Sequence, residues 1–271
     1  MTGRVLIIAG SDSGGGAGIQ ADIKTVTALG GYAATAITAL TAQNTRGVSG
    51  ILPIGPDFVR RQIEAVLSDI GADCVKTGML VDAAVVEAVA DALDALYALS
   101  PKTPLVVDPV IFSTTGASLL DEPGVTRLKR RLIARASVVT PNLIEAAMLT
   151  GLTVETLDGM KRAAEALLKL GAKAVVVKGG HLKGASLIDL VASPSESFVL
   201  KSRRLKTRST HGTGCAYASA IACGLAQGMQ LKAAVTRAHA YVQRAIRAAP
   251  GLGKGNGPIG IGVSARGKSK T

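Results

Sequence analysis

Short apolar segments alternate with longer segments of helical periodicity from Val5 to Ala248. Segments such as 5–9 and 174–178 are rich in valine and isoleucine and are followed by glycine, as is typical of buried parallel strands. Strands joined by helices in this way bury both sheet faces when the sheet is mostly parallel and helices cover each side. The alternation therefore predicts an α/β protein with a mostly parallel central sheet.

The predicted strands cover residues 5–9, 32–40, 73–77, 104–107, 137–139, 174–178, 187–192 and 198–206, the last two forming a hairpin around residues 194 and 195. The predicted helices cover residues 19–29, 56–67, 83–99, 125–134, 143–149, 160–170, 215–227 and 231–248. No linker or internal repeat interrupts this pattern, so we predict a single domain over residues 1–260. Residues 261–271 are basic and are predicted to form a disordered tail.

Polar residues follow most of the predicted strands directly. In open parallel sheets, ligands bind beyond the carboxyl ends of the strands, where such residues converge. This convergence predicts a small-molecule active site rather than chance surface decoration. The residues are 10–12, 43 and 44, 76–78, Asp108, Asn142 and 178–181.

The formal net charge is +12, but only 3% of the residues are aromatic. Nucleic-acid modules that stack bases need exposed aromatic side chains, so a nucleic-acid partner is not expected. Basic residues concentrate at 127–135, 201–208 and 266–270, which favours a solvated cationic surface. The three cysteines have neither zinc-site nor disulfide-framework spacing.

Neither a membrane span nor a signal peptide is predicted. The chain has no uninterrupted run of about 18 apolar residues. Its first residues lack the apolar length and cleavage site of a secretory signal. The cytoplasm is therefore the expected location.

The first glycine-rich loop, residues 10–18, follows a strand and opens a helix. A dinucleotide site would place a carboxylate after the second strand, but residues 41–45 contain none. A Walker A sequence is also absent from the chain. The loop is predicted to let the backbone approach a small polar substrate, although glycines that serve only a tight turn are the alternative.

A second glycine-rich turn, residues 210–215, opens directly into an alanine-rich apolar helix. The N–H groups of a helix start lack partners and carry partial positive charge, so this turn is suited to hold an anion. The same field would lower the pKa of the Cys215 thiol. The alternative is an ordinary loop-to-helix turn with a buried cysteine.

Two carboxylates and an asparagine suggest a magnesium site. Asp108 ends a strand, and Asn142 and Glu145 begin a helix. Mg²⁺ often uses one or two carboxylates and bridges them to phosphates through water. Equally, Asn142 and Glu145 match a helix capping box.

Two further charged residues have open roles. Lys178 precedes two glycines at a strand end and is suited to contact phosphate, or is a surface lysine beside a turn. Asp22 lies in the first predicted helix and could accept a hydrogen bond from a substrate hydroxyl. An exposed helical aspartate is the commoner case.

Taken in order, these motifs resemble the ribokinase-like fold, and specifically the hydroxymethylpyrimidine/phosphomethylpyrimidine kinases of thiamine synthesis. Each motif is weak or moderate alone, but the ordered set spans about residues 4 to 258. The resemblance implies a three-layer αβα sandwich, ATP and Mg²⁺ as cofactors, and a homodimer. The motifs are residues 9–22, 38–45, 76–80, 108–110, 140–146, 178–181 and 210–215.

The resemblance also implies a role for each site residue. The pyrimidine should lie near Gly10, Asp22, Gln43 and Met79, with Gln43 reading the ring nitrogen and amino edges. Asp108, Asn142 and Glu145 should organise Mg²⁺ and the ATP phosphates, with Lys178 and Thr210 along the nucleotide. Gly212, Thr213 and Gly214 should form the anion hole with Cys215, which replaces the aspartate base of many related sugar kinases.

The chain departs from the family pattern at three places: residues 112–116, Ala117, and Ile259-Gly260. These concern the lid and the C-terminal edge. The predicted activity is ATP-dependent phosphorylation of 4-amino-5-hydroxymethyl-2-methylpyrimidine and then of its monophosphate. Two alternatives remain: a pyridoxal/pyridoxine kinase, and a non-catalytic pyrimidine-binding regulator.

Overall fold

A computed structural model of the chain describes residues 2–113, 116–180, 182, 184 and 186–262. Among these residues, one nine-stranded sheet runs through the molecule in the order β3-β2-β1-β4-β5-β6-β7-β8-β9. The strands are β1 (Arg4–Asp12), β2 (Tyr32–Asn44), β3 (Gly47–Pro53), β4 (Cys74–Thr77), β5 (Leu105–Val107), β6 (Val138–Val139), β7 (Val175–Val177), β8 (Ser186–Ala192) and β9 (Ser197–Arg203).

The six central strands, β2, β1, β4, β5, β6 and β7, are parallel to their neighbours. The edges are antiparallel: β3 pairs with β2, and the predicted β8–β9 hairpin adds to β7. The mostly parallel sheet predicted from the alternation is therefore confirmed. Strand β3 was not predicted, because its two glycines and its proline are uncommon in strands and are tolerated at a sheet edge.

Eight α-helices accompany the sheet in the described part of the chain. They are α1 (Gly18–Ala28), α2 (Pro56–Asp69), α3 (Ala83–Leu99), α4 (Glu122–Arg127), α5 (Leu143–Thr150), α6 (Leu157–Lys169), α7 (Thr213–Ala226) and α8 (Leu231–Arg247). Helix α4 begins earlier than predicted, because the Asp121 side chain caps it and proline is tolerated in a first turn. It continues as a π turn at Leu128–Leu132 and a 3₁₀ turn at Ile133–Arg135.

The core has two halves, one on each face of the sheet. Alternate residues of β1 point to opposite faces, so Leu6 and Ile8 pack with α2 to α6, and Val5 and Ile7 pack with α1, α7 and α8. This is the predicted αβα sandwich. Ile261 still packs against the second half, and residues 263–271 of the predicted tail lie outside the described residues.

The chain order places a switch point beside β1. Strand β2 lies on one side of β1 and β4 on the other, so the loops after β1 and β4 diverge. Open α/β sheets bind ligands at such a point, beyond the carboxyl ends of the strands. The predicted site residues leave the sheet at this edge.

Candidate active site

A cavity of about 750 Å³ opens at the carboxyl edge of the sheet. It is lined by the ends of β1 and β2 and by the loops that follow β1, β4, β5, β6, β7 and β9. Among the residues given an individual role from the sequence, Asp22 alone does not line it. The predicted residues that do are Gly10, Gln43, Met79, Asp108, Asn142, Glu145, Lys178, Thr210, Gly212, Thr213, Gly214 and Cys215.

The second glycine-rich turn forms the N-terminus of α7 at this cavity. Gly212 has a φ of 83°, and a Cβ there would collide with the carbonyl oxygen of Gly16, so only glycine fits. No side chain in the described part of the chain caps α7. A Cβ on Gly214 would lie 3.2 Å from Lys178 Nζ. The helix start and a lysine ammonium thus adjoin, which is the chemistry of an anion site.

Cys215 lies in the first turn of α7 and is half-buried at the cavity. The expected low thiol pKa is wrong for the protein without ligands. Burial raises the pKa of the Cys215 thiol to about 12, Asp22 and Asp108 add to the rise, and Lys76 opposes it. The desolvation cost outweighs the helix field here, so the side chain is a thiol at neutral pH.

Lys178 and Asp108 form an ion pair at the mouth of the anion site. Lys178 Nζ donates to Asp108 Oδ1 at 2.9 Å, and the Thr140 hydroxyl donates to the same oxygen at 2.8 Å. Burial disfavours the Asp108 carboxylate, but Lys178 and Lys76 outweigh it and hold its pKa below the usual range. The pair therefore stays charged beside Gly214.

Asn142 and Glu145 form the capping box of α5. The Asn142 side chain accepts from the Glu145 N–H at 2.9 Å, and Glu145 Oε2 accepts from the Asn142 N–H at 2.7 Å. Burial raises the pKa of Glu145 to about 7, Lys178 opposes the rise and Asp108 adds to it. The capping box, which was the alternative to a magnesium site, is thus present, and both side chains also line the cavity.

The donor set of this region suits Mg²⁺ held mainly through a nucleotide. No group of three His, Cys, Asp or Glu side chains within the described ranges forms a metal cluster. Asp108 and Glu145 instead place two carboxylates in one buried environment, where a divalent cation would offset their repulsion. Mg²⁺ commonly uses one or two carboxylates and completes its shell with water and phosphate oxygens.

Asp22 does not reach the cavity, contrary to the expected contact with a substrate hydroxyl. Its carboxylate is fully buried and accepts from Lys76 Nζ at 2.8 Å and from the Ser219 hydroxyl at 2.7 Å. Helix α1 packs against both the sheet and its neighbour α7, so this face of the helix is covered. Asp22 instead holds Lys76, which lines the cavity next to Cys215.

The first glycine-rich loop is organised by Asp12, which was predicted among the strand-end polar residues but was given no role of its own. Its two carboxylate oxygens accept the N–H groups of Gly14 at 2.8 Å, Gly16 at 3.1 Å and Ala17 at 2.8 Å. His211 Nε2 lies 2.8 Å from Asp12 Oδ2 and joins this loop to the anion turn. The signals for both residues were weak, since each is one polar residue among glycines.

Lys76 was also assigned no role from the sequence. It is fully buried within β4, and only its position as a charged residue inside an apolar strand marks it. Of the predicted loop 178–181 and the lid segment 112–116, residues 181, 114 and 115 lie outside the described residues. Phe112 and Gly180 line the cavity.

No helix in the described ranges has the length and apolarity needed to span a bilayer.

The sequence of this chain matches a known family over most of its length. The family is described as phosphomethylpyrimidine kinase, and residues 12–260 match it. The hydroxymethylpyrimidine/phosphomethylpyrimidine kinase of Streptomyces coelicolor is 48% identical over 95% of this chain and 94% of its own length. The thiamine biosynthesis bifunctional protein ThiED of Geobacter sulfurreducens is 49% identical over 95% of this chain, which spans 52% of that longer protein.

Two solved structures show similar folds. The phosphomethylpyrimidine kinase of Clostridium difficile 630 has 40% identity and a TM-score of 0.79, covering 90% of this chain and 99% of its own. The pyridoxal kinase of Staphylococcus aureus in complex with AMP-PCP and pyridoxal has 34% identity and a TM-score of 0.86. That alignment covers 97% of this chain and 94% of the kinase.

Proposed function

The chain belongs to the phosphomethylpyrimidine kinase family, and we propose that its cavity phosphorylates hydroxymethylpyrimidine and then phosphomethylpyrimidine at the expense of ATP. One observation carries the proposal: the N-terminus of α7 and Lys178 open on the same cavity as Gly10, Gln43 and Met79. An anion site and a site for a small ring therefore adjoin, as transfer of a phosphoryl group between two small molecules requires.

The phosphate end of the cavity is the anion turn with Lys178. The N–H groups of Gly212, Gly214 and Cys215 are proposed to bind the transferred phosphoryl group. The Thr213 N–H donates to the Thr210 carbonyl at 3.2 Å and would have to exchange that partner to join them. Lys178 neutralises charge that builds on the phosphate oxygens, and Thr210 lies along the nucleotide. Phosphoryl transfer depends mainly on alignment and charge neutralisation, which these groups supply without covalent chemistry.

Mg²⁺ is proposed to be held by Asp108 and Glu145, with Asn142 beside the nucleotide. When bound, the ion would neutralise phosphate charge and fix the geometry of the triphosphate. Lys178 keeps Asp108 ionised in its absence, so the carboxylate is ready to receive a cation. The buried Glu145 would ionise more readily once a bound cation offsets the repulsion from the Asp108 carboxylate.

The pyrimidine end is proposed to be formed by Gly10, Gln43 and Met79. A Cβ on Gly10 would lie 3.0 Å from Met79 Sδ, so glycine keeps the floor of this end flat. The Thr38 hydroxyl donates to the Met79 carbonyl at 2.6 Å and fixes the loop that carries the thioether. Gln43 supplies an amide that can read neighbouring acceptor and donor groups on a ring.

Cys215 is proposed to take the proton of the substrate hydroxymethyl group as the phosphoryl group is transferred. Because its pKa is about 12 without ligands, the thiol must lose its proton in the loaded enzyme for this role. General-base contributions are usually about 10²-fold or more. A Cys215→Ala variant that retains kcat within about threefold would exclude the role.

Turnover of purified protein with ATP and Mg²⁺ tests the proposed activity. We expect hydroxymethylpyrimidine to give first the monophosphate and then the diphosphate. Chromatography of the products monitors both steps. Side-by-side kcat/KM values for pyridoxal decide the pyridoxal kinase alternative, which the S. aureus likeness motivates. Binding of the pyrimidine without turnover of any substrate would favour the non-catalytic regulator.

The assembly and location also remain proposals. We propose a homodimer in the cytoplasm, without a nucleic-acid partner. Strands β2 and β3 expose Leu40 and Leu52 at the edge of the sheet, with exposed fractions of 43% and 61%. Light scattering at several protein concentrations gives the mass, and a monomer throughout would exclude the dimer.

A further inference from the structure

We propose that Asp12 and His211 fix which way the side-chain amide of Gln43 faces, and so determine which ring edge the substrate must present. The proposal deepens the proposed function, because it rests on Gln43 facing the pyrimidine. His211 directly precedes Gly212 in the anion turn, but its ring contacts Asp12 and Gln43. Asp12 ends β1, so the two positioning residues meet only in the folded protein.

A hydrogen bond joins Asp12 and His211. His211 Nε2 lies 2.8 Å from Asp12 Oδ2, and both side chains are nearly buried. Burial disfavours the carboxylate, but His211 and the N–H groups of Ala17 and Gly14 outweigh it and lower the pKa of Asp12. A carboxylate only accepts hydrogen bonds, so the shared proton is on His211 Nε2 whether the ring is neutral or charged.

A second contact joins His211 and Gln43. The side-chain nitrogen of Gln43 lies 3.3 Å from His211 Nε2. Since His211 Nε2 carries a proton, two N–H groups would face each other and no hydrogen bond could form. The Gln43 oxygen, in contrast, can face His211 as a second, weaker acceptor that shares the one Nε2 proton with Asp12 in a three-centre hydrogen bond.

Thr41 contacts the other side of the Gln43 amide. The Thr41 hydroxyl donates to the carbonyl oxygen of Ser11 at 3.0 Å, so its proton is already used. Its oxygen, 3.2 Å from the side-chain oxygen of Gln43, can then only accept. A half-turn of the amide places its NH₂ group against Thr41, where it donates a full hydrogen bond, and its oxygen against His211, where it shares the proton that Asp12 accepts.

The consequence is a fixed polarity of the amide that lines the cavity. One N–H and one lone pair of Gln43 remain for a ligand, and their order is set by His211 and Thr41. A ring that carries an acceptor nitrogen next to an amino group, as an aminopyrimidine does, can meet both groups together. A hydroxypyridine such as pyridoxal lacks the amino donor and should pair less well.

The experiment compares His211→Phe with His211→Gln. Phenylalanine has a similar shape but no donor, whereas glutamine carries an N–H donor. We expect His211→Phe to lower kcat/KM for hydroxymethylpyrimidine by about 10–100-fold, the size of one unmade buried hydrogen bond or more. The KM for ATP should stay within about twofold, the preference over pyridoxal should fall, and His211→Gln should recover most of both.

Matched variants keep the test decisive. Ser13→Ala removes a hydroxyl that bonds only the backbone of Gln43, so it should leave the substrate preference unchanged. If His211→Phe does not fold, Thr41→Val removes the second contact and should move the preference in the same direction. Where pyridoxal is not turned over, its inhibition constant against the pyrimidine replaces the rate.

The outcomes separate this inference from the proposed function. Wild-type protein that phosphorylates neither ring contradicts the proposed function itself. Active wild-type protein whose His211→Phe variant loses activity equally on both rings, or whose KM for ATP rises in proportion, contradicts the inference alone. A His211→Gln variant no better than His211→Phe also contradicts it.

Discussion

Two lysine–aspartate pairs lie at the same edge of the sheet and differ in what surrounds them. Lys76 and Asp22 are 2.8 Å apart, and both side chains have exposed fractions of 0%. Lys178 and Asp108 are 2.9 Å apart, with exposed fractions of 13% and 2%. Each aspartate has one hydroxyl partner, Ser219 or Thr140. Nearly equal distances therefore accompany different access to a ligand.

The difference in exposure indicates different roles for the two ion pairs. Burial disfavours the Lys76 ammonium, but Asp22, Cys215 and Asp108 outweigh it and raise the pKa of Lys76, so its charge is permanent. It can exchange its partner for a ligand only by leaving Asp22 unpaired in the interior, which is costly. Both lysines line the cavity, but only Lys178 of the two is partly exposed and adjoins Gly214 of the anion turn, so phosphate can compete for it. Lys76 and Asp22 therefore set the local electrostatic field, and Lys178 is the lysine that can bind phosphate.

The largest expected effect is on stability, from Lys76→Met. The change leaves the Asp22 carboxylate buried without a counter-charge, which typically destabilises a protein by about 3–5 kcal/mol. Urea unfolding gives the free energy of unfolding. Lys76→Met with Asp22→Leu should recover most of the loss, because the unpaired charge is removed as well. A single variant as stable as wild type would show that the pair is not closed.

The next effect is on activity, from Lys178→Met. Removing one preorganised cation from the phosphate site should lower kcat/KM for ATP by about 10²–10³-fold. The unfolding free energy should fall by less than in Lys76→Met, because Asp108 keeps Thr140, feels the charge of Lys76 and borders the cavity. Lys173→Met, at an exposed lysine just before β7, is the matched control and should change neither. A large stability loss with little loss of activity would reverse the comparison.

A smaller pair of effects comes from the hydroxyl partners. Ser219→Ala removes a hydrogen bond to a buried carboxylate and should cost about 1–3 kcal/mol of stability. Thr140→Val should cost less stability and should instead raise the KM for ATP a few-fold, since it loosens Asp108 beside the cavity. Unfolding and steady-state kinetics on both variants check this. Equal profiles would mean that access to ligand does not distinguish the two pairs.

The smallest effect concerns the rate at which Cys215 is alkylated. With a pKa of about 12, the thiol should react slowly at neutral pH, and the rate should still rise about tenfold per pH unit up to pH 10. Mass spectrometry after iodoacetamide treatment locates the label, and buried Cys74 and Cys223 are internal controls. A plateau below pH 9 would show that Lys76 governs the thiol more than burial does.

The fold was largely predictable because its signals are local. Buried parallel strands are continuous apolar runs, and helix α3 was predicted with its observed limits, Ala83–Leu99. The edge strand β3 was missed, since its residues are stabilised by pairing with β2 rather than by their own preferences. The early start of α4 depends on a side-chain cap at Asp121, which a proline and a glycine nearby obscured.

The site was predictable where residues lie at strand ends or helix starts. Strand-end polarity located the cavity, because every parallel strand delivers its next residues to one edge. The role of Asp22 was wrong, since the sequence does not show that α7 covers it. Asp12 and Lys76 were predicted among the strand-end polar residues and His211 within the anion turn, but none was given a role, because each acts through a partner far away in the chain. The thiol pKa depended on desolvation, which only packing reveals.

The position of β1 in the middle of the sheet has a consequence for synthesis. The first strand made needs the helix that ends at residue 226 to cover one of its faces. On the ribosome, α1 can cover part of that apolar face early, but the part that α7 covers stays exposed until residue 226 has emerged. The bond between Asp12 and His211 cannot form before residue 211 has been made. Contacts of such long sequence separation slow folding and leave partly made chains prone to aggregate. The nascent chain thus acquires its ligand site last, and truncated products should carry none.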